Sequence, residues 1–213
     1  MEPFRYRAVL LVGPTGSGKT PLGDQCQRNG LWGLRCHHFD FGHHLRDVAS
    51  RPERYASLSP KDRAVVMASL NNGALLENEN FHIAEHCLNF FIRKNSIDPQ
   101  DLILLNGLPR HPGQACGIDP VVNVIAVVYL DCHPEDVRKR IFLNTGGDRS
   151  GRIDDSNQDI YRKLNLFYER THPLMTFYRD RNIPIFAFSV DALTGPSQMI
   201  RWLEEKIDEV NAH

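Results

Sequence analysis

No stretch of this sequence stays apolar for the roughly 20 residues a membrane-spanning helix needs. A membrane partner is therefore not expected. Surplus charge is missing too: 25 Lys and Arg stand against 26 Asp and Glu, leaving a net charge of −1. A chain built to bind nucleic acid usually carries a basic excess, so no nucleic-acid partner is expected either. The five cysteines, Cys26, Cys36, Cys87, Cys116 and Cys132, are odd in number and widely spaced, with no C-x-x-C pair. That argues against a disulfide framework or a four-cysteine zinc site and suits free thiols in a reducing cytosol. No internal repeat or low-complexity linker divides the chain, and residues 1–7 carry no signal-peptide pattern. A cytoplasmic monomer is expected.

What is present is an ordinary globular composition, 41% hydrophobic and 24% charged over 213 residues. Short apolar runs at 8–12, 36–39, 102–105, 121–130 and 185–188 alternate with helical patterns at 60–70, 77–94, 134–143, 158–180 and 196–210. Strands separated by helices predict an α/β protein: a three-layer α/β/α sandwich around a five-stranded parallel sheet. Ligands of such sheets sit beyond the carboxyl ends of the strands. Two stretches do not read as scaffold. Residues 41–76 are mostly helical and too long for a simple crossover, which suggests an inserted subdomain. Residues 144–152, Asn-Thr-Gly-Gly-Asp-Arg-Ser-Gly-Arg, read as a glycine-rich flap. The expectation is one domain over 1–213 with inserts at about 41–76 and about 144–154.

The sharpest motif is Gly13-Pro14-Thr15-Gly16-Ser17-Gly18-Lys19-Thr20, which matches G-x-x-x-x-G-K-[ST] in full. An apolar strand precedes it and a helical pattern follows, the context the motif requires. Its glycines let successive N–H groups turn inward, and those groups with the helix N-terminus bind phosphate oxygens. Lys19 would bridge the β- and γ-phosphates, and Thr20 would place its hydroxyl on Mg²⁺. A nucleoside triphosphate with Mg²⁺ is the expected ligand of this P-loop, which by itself does not choose among kinase, ATPase and switch GTPase. The Asn-Lys-x-Asp motif that reads guanine in GTPases is absent.

Three further segments follow in order: Phe41-Gly42-His43-His44-Leu45-Arg46; Asn106-Gly107-Leu108-Pro109-Arg110 with Gln114 four residues on; and Ser150-Gly151-Arg152-Ile153-Asp154-Asp155. Together with the P-loop they resemble the adenylate kinase and nucleoside monophosphate kinase family, in its short-lid form, over nearly the whole chain. The resemblance implies a P-loop fold with a helical acceptor-binding insert and a lid, and reversible transfer of the ATP γ-phosphoryl to a nucleoside monophosphate, AMP in the first instance. It implies that Arg46 and Arg110 grip the acceptor monophosphate, that Arg152 closes over the transferring phosphoryl, that Arg140 packs on the donor adenine and that Gln114 reads the acceptor base. Arginine suits such work because its planar fork binds phosphate oxygens in pairs.

The sequence also departs from that pattern. The family's Thr-Gly-Asp is Phe41-Gly42-His43 here, and the Asp of its Asp-Gly-Phe-Pro-Arg is Asn106. Both lost carboxylates help the family orient Mg²⁺; Asp40, at the end of the second apolar run, is the nearby acid left. Asn144 and Lys163 stand where arginines are expected, with Arg149 and Arg162 close by. Lys163 keeps the charge but not the bidentate fork. Phe41 replaces a small hydroxyl residue beside the acceptor base, so an altered acceptor preference is expected. Two other readings stay open: a regulatory protein that binds nucleotide on a kinase scaffold, and a P-loop kinase for another small acceptor. His37, His38, His43 and His44 crowd together, and His82 and His86 share a helix face, but no H-E-x-x-H spacing supports a metal centre.

Overall fold

The computed structural model describes residues 4–148 and 156–211. Its sheet has five strands: β1 (Tyr6–Val12), β2 (Cys36–Asp40), β3 (Leu102–Asn106), β4 (Val122–Cys132) and β5 (Ile185–Val190). They lie in the order β2-β3-β1-β4-β5, and every pairing is parallel. Each apolar run in the sequence is thus a strand. The runs are nearly continuous because both faces of the sheet are covered. In β1, Ala8, Leu10 and Val12 face one core cluster, and Val9 and Leu11 face the other. β3 divides the same way, with Ile103 and Leu105 set against Leu102 and Leu104.

The α-helices among the described residues are α1 (Lys19–Asn29), α2 (Phe41–Ser50), α3 (Pro60–Asn72), α4 (Phe81–Lys94), α5 (Pro112–Ile118), α6 (Pro134–Leu143), α7 (Asn157–Leu166), α8 (Leu174–Arg179), α9 (Pro196–Glu204) and α10 (Ile207–Asn211). Leu22 of α1 and Met199 and Leu203 of α9 cover one face of the sheet, with Val137 of α6 and Leu164 of α7. Val48, Leu88, Ala115 and Leu174 bring α2, α4, α5 and α8 onto the other. A glycine loop leaves the central strand β1 and opens directly into α1. This is the three-layer α/β fold of P-loop nucleotide-binding proteins.

Residues 41–76 contain α2, a 3₁₀ turn at Pro52–Tyr55 and α3. A capping box starts α3: Ser59 Oγ accepts from the Asp62 amide at 3.2 Å, while the Ser59 amide donates to Asp62 Oδ2 at 2.9 Å. Asp62 also takes His82 Nε2 at 2.8 Å, joining α3 to α4.

Two helical expectations need correction. Residues 158–180 do not form one helix. α7 runs into a π-helical turn, Phe167–Thr171, and α8 begins only after Pro173. Proline has no N–H for the ladder, and the His172 amide bonds to the Phe167 carbonyl at 2.8 Å, one residue longer than an α-helical bond. Residues 196–210 break between α9 and α10. The short helix α5 was not expected; its seven residues include Gly113 and Gly117, which blur an apolar period.

Candidate active site

β1 delivers Val12 to the carboxyl edge of the sheet, and the chain turns through residues 13–18 before α1 starts at Lys19. Gly16 and Gly18 hold φ of 75° and 100°, a region that side chains disfavour. No side chain caps α1, so its first N–H groups are left for a ligand, the arrangement that suits an anion. Ser17 Oγ is buried and without a hydrogen-bond partner among the described residues. Lys19 folds back over the loop, its ammonium donating to the carbonyls of Gly13 and Pro14 at 2.6 and 2.7 Å. Its charge is held at the cradle. Arg140 braces the loop: Nε donates to the Gly16 carbonyl at 2.8 Å, and Nη1 donates to the carbonyls of Asp191 and Thr194, each at 2.7 Å. Arg140 is buried, and these bonds fasten the P-loop to the segment after β5, a task the sequence did not suggest.

Strand register builds the next part. Asp40 at the end of β2 pairs with Asn106 at the end of β3, and Asn106 pairs with Leu11 of β1. Three strand ends therefore meet at one level beside Thr20. Thr20 Oγ1 donates to Asp40 Oδ2 at 2.9 Å. Asn106 Nδ2 lies 3.0 Å from Thr20 Oγ1, 3.2 Å from Asp40 Oδ2 and 3.3 Å from His38 Nε2. His38 Nδ1 is 2.8 Å from Asp24 Oδ1 on α1. A neutral imidazole donates at one nitrogen and accepts at the other; Asp24 keeps the proton on Nδ1, which frees Nε2 to accept from Asn106. Asp40 Oδ1 accepts from the His43 amide at 2.8 Å and so caps α2. Burial alone would raise the Asp40 carboxyl, but the His43 amide, the nearby His38, the Thr20 hydroxyl and the Arg46 charge outweigh it and hold the group below its ordinary value, ionised at neutral pH.

His38 also presses on α1. A Cβ added at Gly23 would run into the His38 ring at Cδ2. Gly23→Ala is therefore expected to displace the ring and cost about 1–3 kcal/mol as an overpacked site. Thermal unfolding reads this directly, and an unchanged midpoint would mean that the ring has room to move.

One crevice joins the P-loop to residues of the two motifs that follow it. It runs from Gly13, Lys19 and Thr20 past Asp40 and Asn106 to Phe41, Arg46, Arg110 and Gln114. Lys163 lines it from α7. Arg46 is exposed and Arg110 half-buried. Neither guanidinium makes a hydrogen bond or ion pair among the described residues. Desolvation draws Arg110 down to about 10, so it remains a cation at neutral pH. Gln114 is buried with its amide engaged: Oε1 accepts from the Arg110 amide and Nε2 donates to the Leu76 carbonyl, both at 2.8 Å. It braces the Arg110 backbone against the segment after α3. Phe41 is buried and stacked on Phe39, with ring centroids 6.1 Å apart. Arg149 and Arg152 lie outside the described residues.

The clustered histidines separate. His37 pairs with Asp101 at 2.7 Å and His44 with the Tyr55 hydroxyl at 2.9 Å. Burial lowers His44 to about 4, so it is neutral. His43 is exposed. Sequence reasoning noted His38 only within the histidine cluster, and it missed Asp24 and Thr171. Thr171 lines the crevice from the π-helical turn, its hydroxyl buried and without a partner among the described residues. Alternation along β2 was the available signal for His38, which stands two residues before Asp40 and so on the same face of the strand.

No protein-family model matches the chain. Curated proteins do. Adenylate kinase isoenzyme 1 of Bos taurus is 27% identical over 181 residues, 84% of each chain. Adenylate kinase isoenzyme 1 of Cyprinus carpio is 29% identical over 180 residues, 83% of each. UMP-CMP kinase 3 of Oryza sativa subsp. japonica is 25% identical over 186 residues, covering 84% of this chain and 76% of its own. These relatives are phosphotransferases, and they support a kinase activity at the level of the family. Fold, motif order and relatives agree: the chain is related to the adenylate kinase and nucleoside monophosphate kinase family.

Proposed function

We propose that this protein transfers the γ-phosphoryl of ATP reversibly to a nucleoside monophosphate, with AMP as the reference acceptor. The observation that carries the reading is the crevice in which Arg46 and Arg110, two arginines whose guanidinium groups make no hydrogen bond or ion pair among the described residues, stand with the P-loop. The Arg110 guanidinium, partly desolvated and without such a bond, calls for an anion. A second anion site sharing one crevice with a triphosphate cradle is what transfer between two phosphate-bearing substrates needs.

In this reading residues 13–20 hold the triphosphate, Lys19 neutralises charge between the β- and γ-phosphates, and Arg140 keeps the loop in place beside the donor. Arg46 and Arg110 hold the acceptor phosphate in line. Lys163 adds positive charge from α7, Arg152 adds it from the lid at about 144–154, and α2 and α3 form the acceptor-binding insert. An acceptor phosphate oxygen, already anionic at neutral pH, forms a bond to γ-phosphorus as the bond to the bridging oxygen breaks. The electron pair of that bond leaves on the β-phosphate of ADP, so no protein base is required. Closure of the lid excludes water, which would otherwise take the phosphoryl group.

Magnesium belongs with ATP in this chemistry, and the donors beside Thr20 fit it: a hydroxyl, a carboxylate and an amide, with no thiol lining the crevice. Among the described residues no cluster of three or more His, Cys, Asp or Glu is arranged to hold a metal alone. When bound it would neutralise charge on the β- and γ-phosphates, with Thr20 as its protein ligand. Among the described residues no helix is long and apolar enough to cross a membrane. A cytoplasmic monomer acting on small molecules, not nucleic acid, completes the proposal.

The test is an acceptor panel. ADP formation from Mg-ATP is measured with AMP, GMP, CMP, UMP and the deoxynucleotides. ADP is expected only when a monophosphate is present. Because Phe41 fills space at the acceptor end, the preference is expected to differ from AMP alone. ATP binding without turnover on any member would favour the regulatory reading, and turnover only with a non-nucleotide acceptor would favour a different small substrate.

A further inference from the structure

We infer that Asp40 is the acid that directs Mg²⁺ in this chain, acting through the Thr20 hydroxyl, and that Asn106, His38 and Asp24 are the residues that hold it there. The inference rests on the reading of residues 13–20 as an ATP cradle, but not on which acceptor is used.

Four observations lead to it. First, Asp40 divides its two oxygens between two tasks: Oδ1 caps α2 at His43, while Oδ2 takes the Thr20 proton at 2.9 Å. A hydroxyl that donates to a carboxylate has its lone pairs free to turn away from it. Asn106 engages one of the two lone pairs at 3.0 Å, and the other remains for a cation. Second, Asp40 and Asn106 are register partners whose polar atoms lie 3.2 Å apart. A carboxylate at 106 would face the Asp40 carboxylate at that distance, and two such groups do not both ionise readily. Asparagine instead donates: one N–H is shared between Thr20 Oγ1 and Asp40 Oδ2, and the other is left for His38. The negative charge at this strand edge therefore sits on β2, and the neutral residue on β3 follows from it.

Third, the Asn106 amide is fixed from behind. His38 Nε2 accepts from it at 3.3 Å, and Asp24 holds His38 in the matching tautomer at 2.8 Å. The chain Asp24–His38–Asn106 runs from α1 through the sheet edge to Asp40 and Thr20, the kind of outer support that orients metal ligands. Fourth, the residue at 43 cannot serve: His43 is exposed and brings no negative charge. Among the described residues lining the crevice, the carboxylates are Asp40 and Asp148, and Asp40 is the one bonded to Thr20.

The experiment titrates Mn²⁺ into the full-length protein with ATP and follows free Mn²⁺ by its electron paramagnetic resonance signal. Affinity for metal-free ATP is measured separately by calorimetry in chelator. Asp40→Asn keeps the helix cap, since asparagine is as good an N-cap as aspartate. It is expected to weaken Mn²⁺ binding to the protein–ATP complex by about 10–100-fold, while metal-free ATP binds as well as before. Asp40→Ser, also a capping residue, is expected to show the same loss. The swap Asp40→Asn with Asn106→Asp returns a carboxylate to the same point and is expected to recover most of the affinity. Wild-type Mn²⁺ affinity in Asp40→Asn and Asp40→Ser, or a loss confined to Asp148→Asn, would overturn the inference and leave the kinase reading standing. A wild-type protein that binds no ATP, with or without metal, would instead remove the reading on which it rests.

Discussion

Lys19→Ala is expected to reduce kcat/KM for phosphoryl transfer by about a thousandfold or more, equivalent to about 4 kcal/mol of transition-state stabilisation. In the proposed function the lysine is the residue of the P-loop that brings a full positive charge to the phosphates. In the structure its ammonium is held by the carbonyls of Gly13 and Pro14 at 2.6 and 2.7 Å. Those bonds are part-buried and modest, so their loss should leave the fold intact; circular dichroism and a thermal midpoint near wild type check this. Lys19→Arg keeps the charge but presents a planar fork in place of a compact ammonium, and it too should lose most of the activity. Transfer that survives in Lys19→Ala would place the reaction elsewhere than the P-loop.

Arg110→Ala should separate activity from stability in opposite directions. The guanidinium is partly desolvated, is pulled down to about 10 by burial, and makes no hydrogen bond or ion pair among the described residues. A charge in that position costs folding free energy without a partner to offset it. Removing it should leave the thermal midpoint unchanged or raise it, as often happens when a residue kept for function is deleted. Transfer should fall by about 10²–10³-fold, the usual scale for losing one preorganised charge-stabilising group, with a raised KM for the acceptor and little change in KM for ATP. Steady-state kinetics with the two substrates varied separately reads the asymmetry. A variant that loses stability and affects both KM values equally would mark Arg110 as a structural residue.

These expectations differ in how much of them the sequence alone discloses. The P-loop and all five strands are local features: a glycine pattern and short apolar runs, each decided by residues within about ten positions of one another. The supporting cluster is not local. Thr20, His38, Asp40 and Asn106 lie on α1, β2 and β3, and they meet because β2 and β3 are in register at Asp40 and Asn106. No periodicity in a single segment records that pairing. Asn106 reads in the sequence as a lost carboxylate; beside Asp40 it reads as the residue a second carboxylate would have disturbed. Gln114 and Arg140 show the same limit. Both stand at recognisable motif positions, yet their polar atoms are engaged with Leu76, Arg110, Gly16, Asp191 and Thr194, contacts fixed by packing between distant segments. The helical break at Pro173 was legible in principle, because proline cannot donate to the ladder, but the apolar pattern ran through it.

The central claim is that one crevice carries a phosphoryl group from ATP to a nucleoside monophosphate. It is tested most directly by following the label from ATP carrying ³²P at the γ-position, in the presence of Mg²⁺ and an equimolar mixture of nucleoside monophosphates, with products separated by chromatography. The account predicts that label leaves ATP only for the β-phosphate of a nucleoside diphosphate, in step with formation of ADP. Label that stays in ATP, or that appears as inorganic phosphate whether or not a monophosphate is present, would contradict it.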